Sequence, residues 1–250
     1  MVRVALVHDW LVRMAGAERV LECLCELFPE APIHALVWDR YGQGLAGVWR
    51  REVRTSFLQR LPGARRWYSM YLPLMPLAVE SLDVSDSELV ISSSHAVAKG
   101  VRTRPDQLHI SYVHTPMRYA WDLQETYLSE SGAHRGPARF LARMVLHYVR
   151  MWDVCSANRV DVFVANSKHV ARRIRKIYRR QAAVIYPPVE VDRFQARSER
   201  GDYYVTVTRL VRYKRVDVIL EAFRRLGRPL VVIGDGPELS RLRRRAPRNV

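Results

Sequence analysis

The sequence predicts an α/β protein: one complete domain built on a parallel sheet with helices on both faces, followed by the opening of a second such domain. Three observations carry this. Short apolar runs alternate with helical periodicity over residues 2–186, the composition turns polar at Pro187-Pro188, and the strand–helix alternation resumes at Tyr203. Strands separated by helical patterns are the mark of a parallel sheet, because parallel neighbours need a crossover between them. At 250 residues, 48% hydrophobic and 26% charged, the chain has enough apolar surface for a core, which excludes disorder as its main state.

The apolar run 2–7 reads as a buried first strand, which passes through His8-Asp9-Trp10 into a helix over 15–28. Residues 33–38 read as a second strand and 88–92 as a third, closed by Ser92-Ser93-Ser94-His95. Residues 108–113 and 160–165 are the fourth and fifth, each followed by a loop and a helical pattern, and 182–186 adds a short sixth. The stretch 188–202 has no countable period and reads as a linker. Beyond it stand a strand at 203–208, a helix at 216–226, a strand at 229–233 and the start of a helix at 237–245, with Pro237 expected in its first turn. The expected domains are therefore 1–187 and 203–250 on either side of that linker. The second has two clear strands, fewer residues than the ~100–150 of a free-standing domain, and sheet edges left uncovered, so it reads as incomplete.

Lys plus Arg number 41 against 25 for Asp plus Glu, a net charge of +16, and all but Lys99, Lys168, Lys176 and Lys214 of the positives are arginine. Guanidinium forks suit phosphates and carboxylates, so anionic partners are expected. Nucleic acid is not among them: no recognition signature occurs, and the basic residues are spread over several helices. Cys23, Cys25 and Cys155 cannot make a disulfide framework, and Cys23-x-Cys25 lacks a redox or zinc spacing, so a reducing, cytoplasmic location is expected. No run approaches the ~20 apolar residues of a spanning helix.

Ligands of open parallel sheets bind beyond the carboxyl ends of the strands, so the residues there are the candidates. After the first strand come His8, Asp9 and Trp10, then Gly16-Ala17-Glu18 at a helix start, where amides and dipole favour an anion. After the third come Ser94 and His95, and after the fourth His114-Thr115-Pro116. Three histidines at three strand ends of one sheet point to a site. In the second unit Arg209 ends a strand, Lys214 stands at an expected helix start, and Gly234-Asp235-Gly236 ends the next strand. Two cations beside a glycine turn suit a diphosphate. Neither a dinucleotide fingerprint nor a P-loop is present.

These segments, with Ser92-Ser93-Ser94-His95, Tyr112-Val113-His114-Thr115-Pro116, Asn166-Ser167, Pro187-Pro188-Val189 and Asp192-Arg193-Phe194, resemble the retaining glycosyltransferases of family 4, of GT-B fold. The opening and the His114 segment look closest to bacterial mannosyltransferase-like members that build O-antigens and exopolysaccharides. The resemblance implies two Rossmann-like domains facing across a cleft. It implies a retaining hexosyltransferase that takes a nucleotide-diphosphate sugar, GDP-mannose favoured, to a glycan or polyprenyl-linked acceptor, with no cofactor and no metal. By position, His114 would stand near the sugar and Gly16 near the diphosphate, with Arg209 and Lys214 stabilising the leaving group. Gly234, Asp235 and Gly236 would line the donor side, and His8, Asp9, Trp10, Ser94 and His95 the acceptor side. The paired-glutamate motif of the family's second domain is not reached, so a catalytically weak or inactive sugar-nucleotide- or lipid-binding remnant is the alternative expectation.

Residues 61–77 mix Arg65 and Arg66 with Trp67, Tyr68, Met70, Tyr71, Leu72 and Met75, more large apolar side chains than one helical stripe buries. An interfacial segment on the anionic inner face of a membrane is expected from this composition.

Overall fold

A computed structural model describes residues 2–43, 51–130, 136–193 and 200–250. The chain divides into two compact units, Met1–Val189 and Glu190–Val250. In the first, the chain runs β1 (Val4–His8), β2 (Leu11–Arg13), α1 (Gly16–Leu27), β3 (Ile33–Ala35), β4 (Trp38–Gln43), β5 (Val53–Thr55), α2 (Ala64–Trp67), α3 (Met75–Glu80), β6 (Leu89–Ser94), β7 (Leu108–Val113), α4 (Gln124–Glu130), α5 (Gly136–Ser156), β8 (Val162–Ala165), α6 (Lys168–Tyr178) and β9 (Ala183–Val184).

Seven of these strands form one parallel sheet in the order β5-β3-β1-β6-β7-β8-β9. From β1 the chain builds outward through β3 and β5, then returns to the other side of β1 and builds through β6 to β9. The direction of winding reverses between β1 and β6, and the carboxyl ends of strands at such a reversal are where open parallel sheets bind ligands. Side chains alternate across the sheet. Ala5, Val7 and Val90 join Leu36, Leu58, Met75, Val79 and Val149 in one core cluster. Leu6 and Ile91 join Leu21, Cys25 and Ile33 in a second cluster.

Asp153 of α5 is buried within this unit and still fully partnered. It sits 2.7 Å from the Lys99 Nζ, accepts from Trp121 Nε1 at 2.8 Å and from the Tyr178 hydroxyl at 3.0 and 3.1 Å. Lys99 itself also donates to the Ser156 hydroxyl at 2.9 Å and to the Asp153 carbonyl. Buried charges persist only when so paired, and this set ties α5 and α6 to the loop after β6.

Several expected elements differ. The strand expected over 33–38 is two: β3 in the main sheet, and β4, which pairs with β2 in a separate two-stranded sheet. β5 was not expected at all. Residues 61–77 are a broken path of α2, a 3₁₀ stretch Tyr68–Leu74 containing Pro73, and the start of α3. Proline removes a helical donor and crowds the preceding turn, which accounts for the break.

The second unit holds β10 (Tyr204–Val207), α7 (Val216–Leu226), β11 (Leu230–Ile233) and α8 (Leu239–Arg245), with β10 and β11 parallel. Leu210, Val216, Leu220 and Leu242 form its core. Val205, Val207, Val231 and Ile233 are exposed. Lys214 lies in a 3₁₀ turn two residues before α7 rather than at its start. Pro237 precedes the Glu238 cap of α8 and so lies outside the helix, contrary to expectation. Phe194 and residues 195–199 of the expected linker lie outside the described residues.

Candidate functional site

At the reversal point in the first unit, β1 ends in His8 and β6 in Ser94, with Asp9 and His95 next in line. Asp9 is completely buried, and its carboxylate accepts four backbone N–H groups from one turn: His95 at 2.7 Å, Ala96 at 2.9 Å, Val97 at 2.6 Å and Ala98 at 2.7 Å. His95 Nδ1 adds a contact at 2.9 Å. Burial would raise the Asp9 carboxyl, but the His95 charge and hydrogen bonds outweigh it and hold Asp9 ionised well below the usual range. Burial would likewise lower His95, and Asp9 outweighs it to raise the imidazole. Asp9 thus fixes the turn that carries His95.

Gly16 opens the 12-residue helix α1, and nothing stands within 4 Å of where a Cβ would be. The chain itself gives no steric reason for glycine there. Glu18 turns back onto the helix start, accepting from the Ala15 N–H at 3.0 Å, and lies 3.6 Å from His8 Nε2. Burial opposes its charge, yet the neighbouring His8 imidazole outweighs it and lowers the Glu18 carboxyl. His8 is fully buried behind the surface.

His114 follows β7, with its ring 6.3 Å from that of His95 and 5.2 Å from Tyr112. Its Nε2 is 2.8 Å from the Ser93 hydroxyl, its N–H donates to Ser94, and its carbonyl accepts from Asn166 at 3.0 Å. Burial, helped by the neighbouring histidines, pushes His114 down to about 3, so the ring is neutral near pH 7. Trp10 packs edge-on against His95 with centroids 4.6 Å apart. The structure therefore brings together His8, Asp9, Trp10, Ser94, His95 and His114, with Gly16 linked through Glu18. The sequence alone gives no role to Glu18, Ser93 and Asn166. Three consecutive serines ending an apolar strand are a signal for the second, since buried hydroxyls need polar partners. Among the described residues no group of three or more His, Cys, Asp or Glu is placed to hold a metal ion.

In the second unit, Arg209 and Lys214 are exposed, and neither forms an ion pair among the described residues. Gly234 and Gly236 are demanded by packing. A Cβ on the first would lie 1.9 Å from the Thr208 carbonyl oxygen, and on the second 2.4 Å from that of Leu210, where φ is also +154°. Leu210 N–H donates to the Asp235 carbonyl, and Glu238 N–H to Leu210. The glycine turn therefore clamps the loop that carries Arg209.

Residues 14–193 match the family described as Glycosyltransferase Family 4, more than half of the chain. Among solved structures, the Anabaena protein Alr3699/HepE in complex with UDP and glucose aligns with a TM-score of 0.60 at 12% identity, covering 98% of this chain and 65% of that one. The same protein with UDP-glucose gives 0.57 at 13% identity. At such identity the likeness shows the fold, a GT-B glycosyltransferase fold. The chain spans about two-thirds of the length of these relatives. No curated protein matches the sequence. No described helix is long and apolar enough to cross a membrane.

Proposed function

The chain belongs to glycosyltransferase family 4, and on that premise we propose that it moves a hexose from a nucleoside-diphosphate sugar to a glycan or polyprenyl-linked acceptor with retention. The observation that carries the reading is the site at the β1–β6 reversal. There the neutral His114 ring lies 6.3 Å from that of His95, which packs against Trp10, and the unobstructed helix start at Gly16 is tied to the same strand ends through Glu18 beside His8. An α-helix start supplies unpaired N–H groups and positive potential, which suit a phosphate.

In this reading the bond from the anomeric carbon to the diphosphate oxygen breaks and one to the acceptor hydroxyl oxygen forms on the same face. The acceptor proton leaves with the diphosphate. Neutral His114 holds a sugar hydroxyl through hydrogen bonding, with Nε2 anchored on Ser93. His95 and Trp10 stand on the acceptor side. His8, Asp9 and Ser94 are buried there and act as positioning residues, since Asp9 has spent its oxygens on backbone donors. Arg209 and Lys214 neutralise the diphosphate, with Gly234, Asp235 and Gly236 setting their loop. Charge stabilisation of this kind contributes factors of roughly 10²–10³ in rate per donor group.

The donor is GDP-mannose on the sequence resemblance, and UDP-glucose is its rival because HepE is bound to it. The test incubates the chain with each nucleotide sugar and a polyprenyl-linked acceptor, and reads the product's anomeric configuration by NMR. Turnover that falls roughly 100-fold in Arg209→Ala and in Lys214→Ala supports the assignment. Donor binding without turnover would instead identify a sugar-nucleotide-binding remnant.

A further inference from the structure

Helix α5 carries an apolar ridge on its outer side. Leu146, Val149, Asp153 and Ser156 are its buried residues. On a different arc Phe140, Met144, Tyr148 and Met151 follow at i, i+4, i+8 and i+11, joined by Leu141, and all are exposed, Phe140 by 69% and Met144 by 53%. Spacing of this kind makes one stripe along a helix, normally turned to a core. Here the stripe faces away from the core while the opposite arc does the packing. Exposed apolar patches of this sort mark interaction surfaces.

The charges that α5 itself places beside the ridge are positive, and one of them, Arg139, is paired with Glu125 of α4 at 3.0 Å. Arg139, Arg143 and Arg150, at i, i+4 and i+11, run along one edge of the stripe, and residues 136–152 contain no carboxylate. The neighbouring segment repeats the pattern. Trp67, Met70, Leu74 and Leu77 are exposed, Met70 by 74%, beside Arg65 and Arg66, and residues 57–79 contain no carboxylate either. The two segments are held together by Trp152 Nε1, which donates to Glu80 at 2.8 Å, and by Val145 and Trp152 packing on the same core cluster as Tyr68, Tyr71 and Leu72.

We infer that the outer ridge of α5, with the 67–77 segment beside it, is a docking surface for an anionic lipid bilayer. Apolar side chains between arginines and no carboxylates are what a helix lying in a charged interface requires. A second copy of the chain fits less well. A two-fold contact would set each patch against itself, arginine against arginine, with the nearby Glu125 already held by Arg139.

The test is flotation of the full chain with vesicles of phosphatidylcholine alone and with about one-third phosphatidylglycerol. Binding at least roughly tenfold stronger to the anionic vesicles is expected, weakening at about 0.5 M salt. The triple variant Phe140→Ser, Met144→Ser, Met151→Ser should lower it at least roughly tenfold, and Arg66→Glu with Arg143→Glu by about fivefold per site. If the triple variant fails to fold by circular dichroism, Phe140→Ser alone decides in the same direction. Equal binding by folded ridge variants, no flotation of the parent chain, or a vesicle-independent dimer that the ridge variants abolish would each overturn the proposal.

Discussion

Asp9 shows how a single side chain organises the site. Its two oxygens hold four amides of one turn, so Asp9→Ala strands those donors in a buried setting and should cost at least about 3 kcal/mol. Urea denaturation at pH 7 measures this, and a loss below about 1 kcal/mol would contradict the role. The histidines set the pH response. His109, buried on β7 against Ser92, is pushed down to about 4 by burial, and His114 to about 3. Both are neutral when folded, while unfolded imidazoles protonate near 6.5. Between pH 6.5 and 4 the unfolded chain therefore binds more protons, and stability falls on acidification by about 1.4 kcal/mol per pH unit per group. His95 is raised instead, so its contribution is present below 6.5 and fades as pH rises through its folded value. The melting temperature should peak near pH 6.5, and His109→Gln should flatten the acid limb, read by calorimetry from pH 4 to 8. His8, Asp9, His95 and His114 were legible because parallel topology converts strand ends into neighbours. That Asp9 and His8 lie beneath the surface was not legible, since burial depends on the turn at 95–98 folding over them.

Gly16 and Gly234 look alike in the sequence, each a glycine near a strand end, and the structure separates them at the level of the element. Gly234 is required by the approach of the loop after β10 to that after β11, so Gly234→Ala should destabilise by about 1–3 kcal/mol. Gly16 begins α1 with open space about it, and Gly16→Ala should leave the melting temperature level or slightly raised while abolishing donor-induced stabilisation. Thermal melts with and without a nucleotide sugar distinguish the two, and equal donor shifts in Gly16→Ala and the parent would remove Gly16 from the site. The long elements were readable from periodicity: α1, the strands β1, β6 and β7, α6 and α7. The unreadable ones are short. β2 and β5 have three residues each, too few for a period, and β4 is polar over Trp38–Gln43, so the strand read over 33–38 covers β3 but runs past its end. The 61–80 path was unreadable for another reason, because Pro73 interrupts a composition that is helical and apolar on both sides.

At the scale of the whole molecule the two units differ in how much they can bury. The first has four of the core clusters, on both faces of a seven-stranded sheet, and the buried Lys99–Asp153 network besides. The second relies on Leu210, Val216, Leu220 and Leu242 under two strands, with Val205, Val207, Val231 and Ile233 exposed. Below roughly 70–80 residues one core rarely supplies more than about 3–5 kcal/mol, and here much of the sheet's apolar surface stays in water. Residues 1–189 expressed alone should therefore melt in one cooperative transition and keep the acid limb set by His109 and His114, because every partner of those rings lies within them. Residues 190–250 alone should show weak, non-cooperative melting and rapid amide exchange throughout α7 and α8. Hydrogen exchange on the two fragments measures the contrast directly. Protection in the smaller fragment equal to that in the larger would mean that β10 and β11 are held by more than their four-residue core.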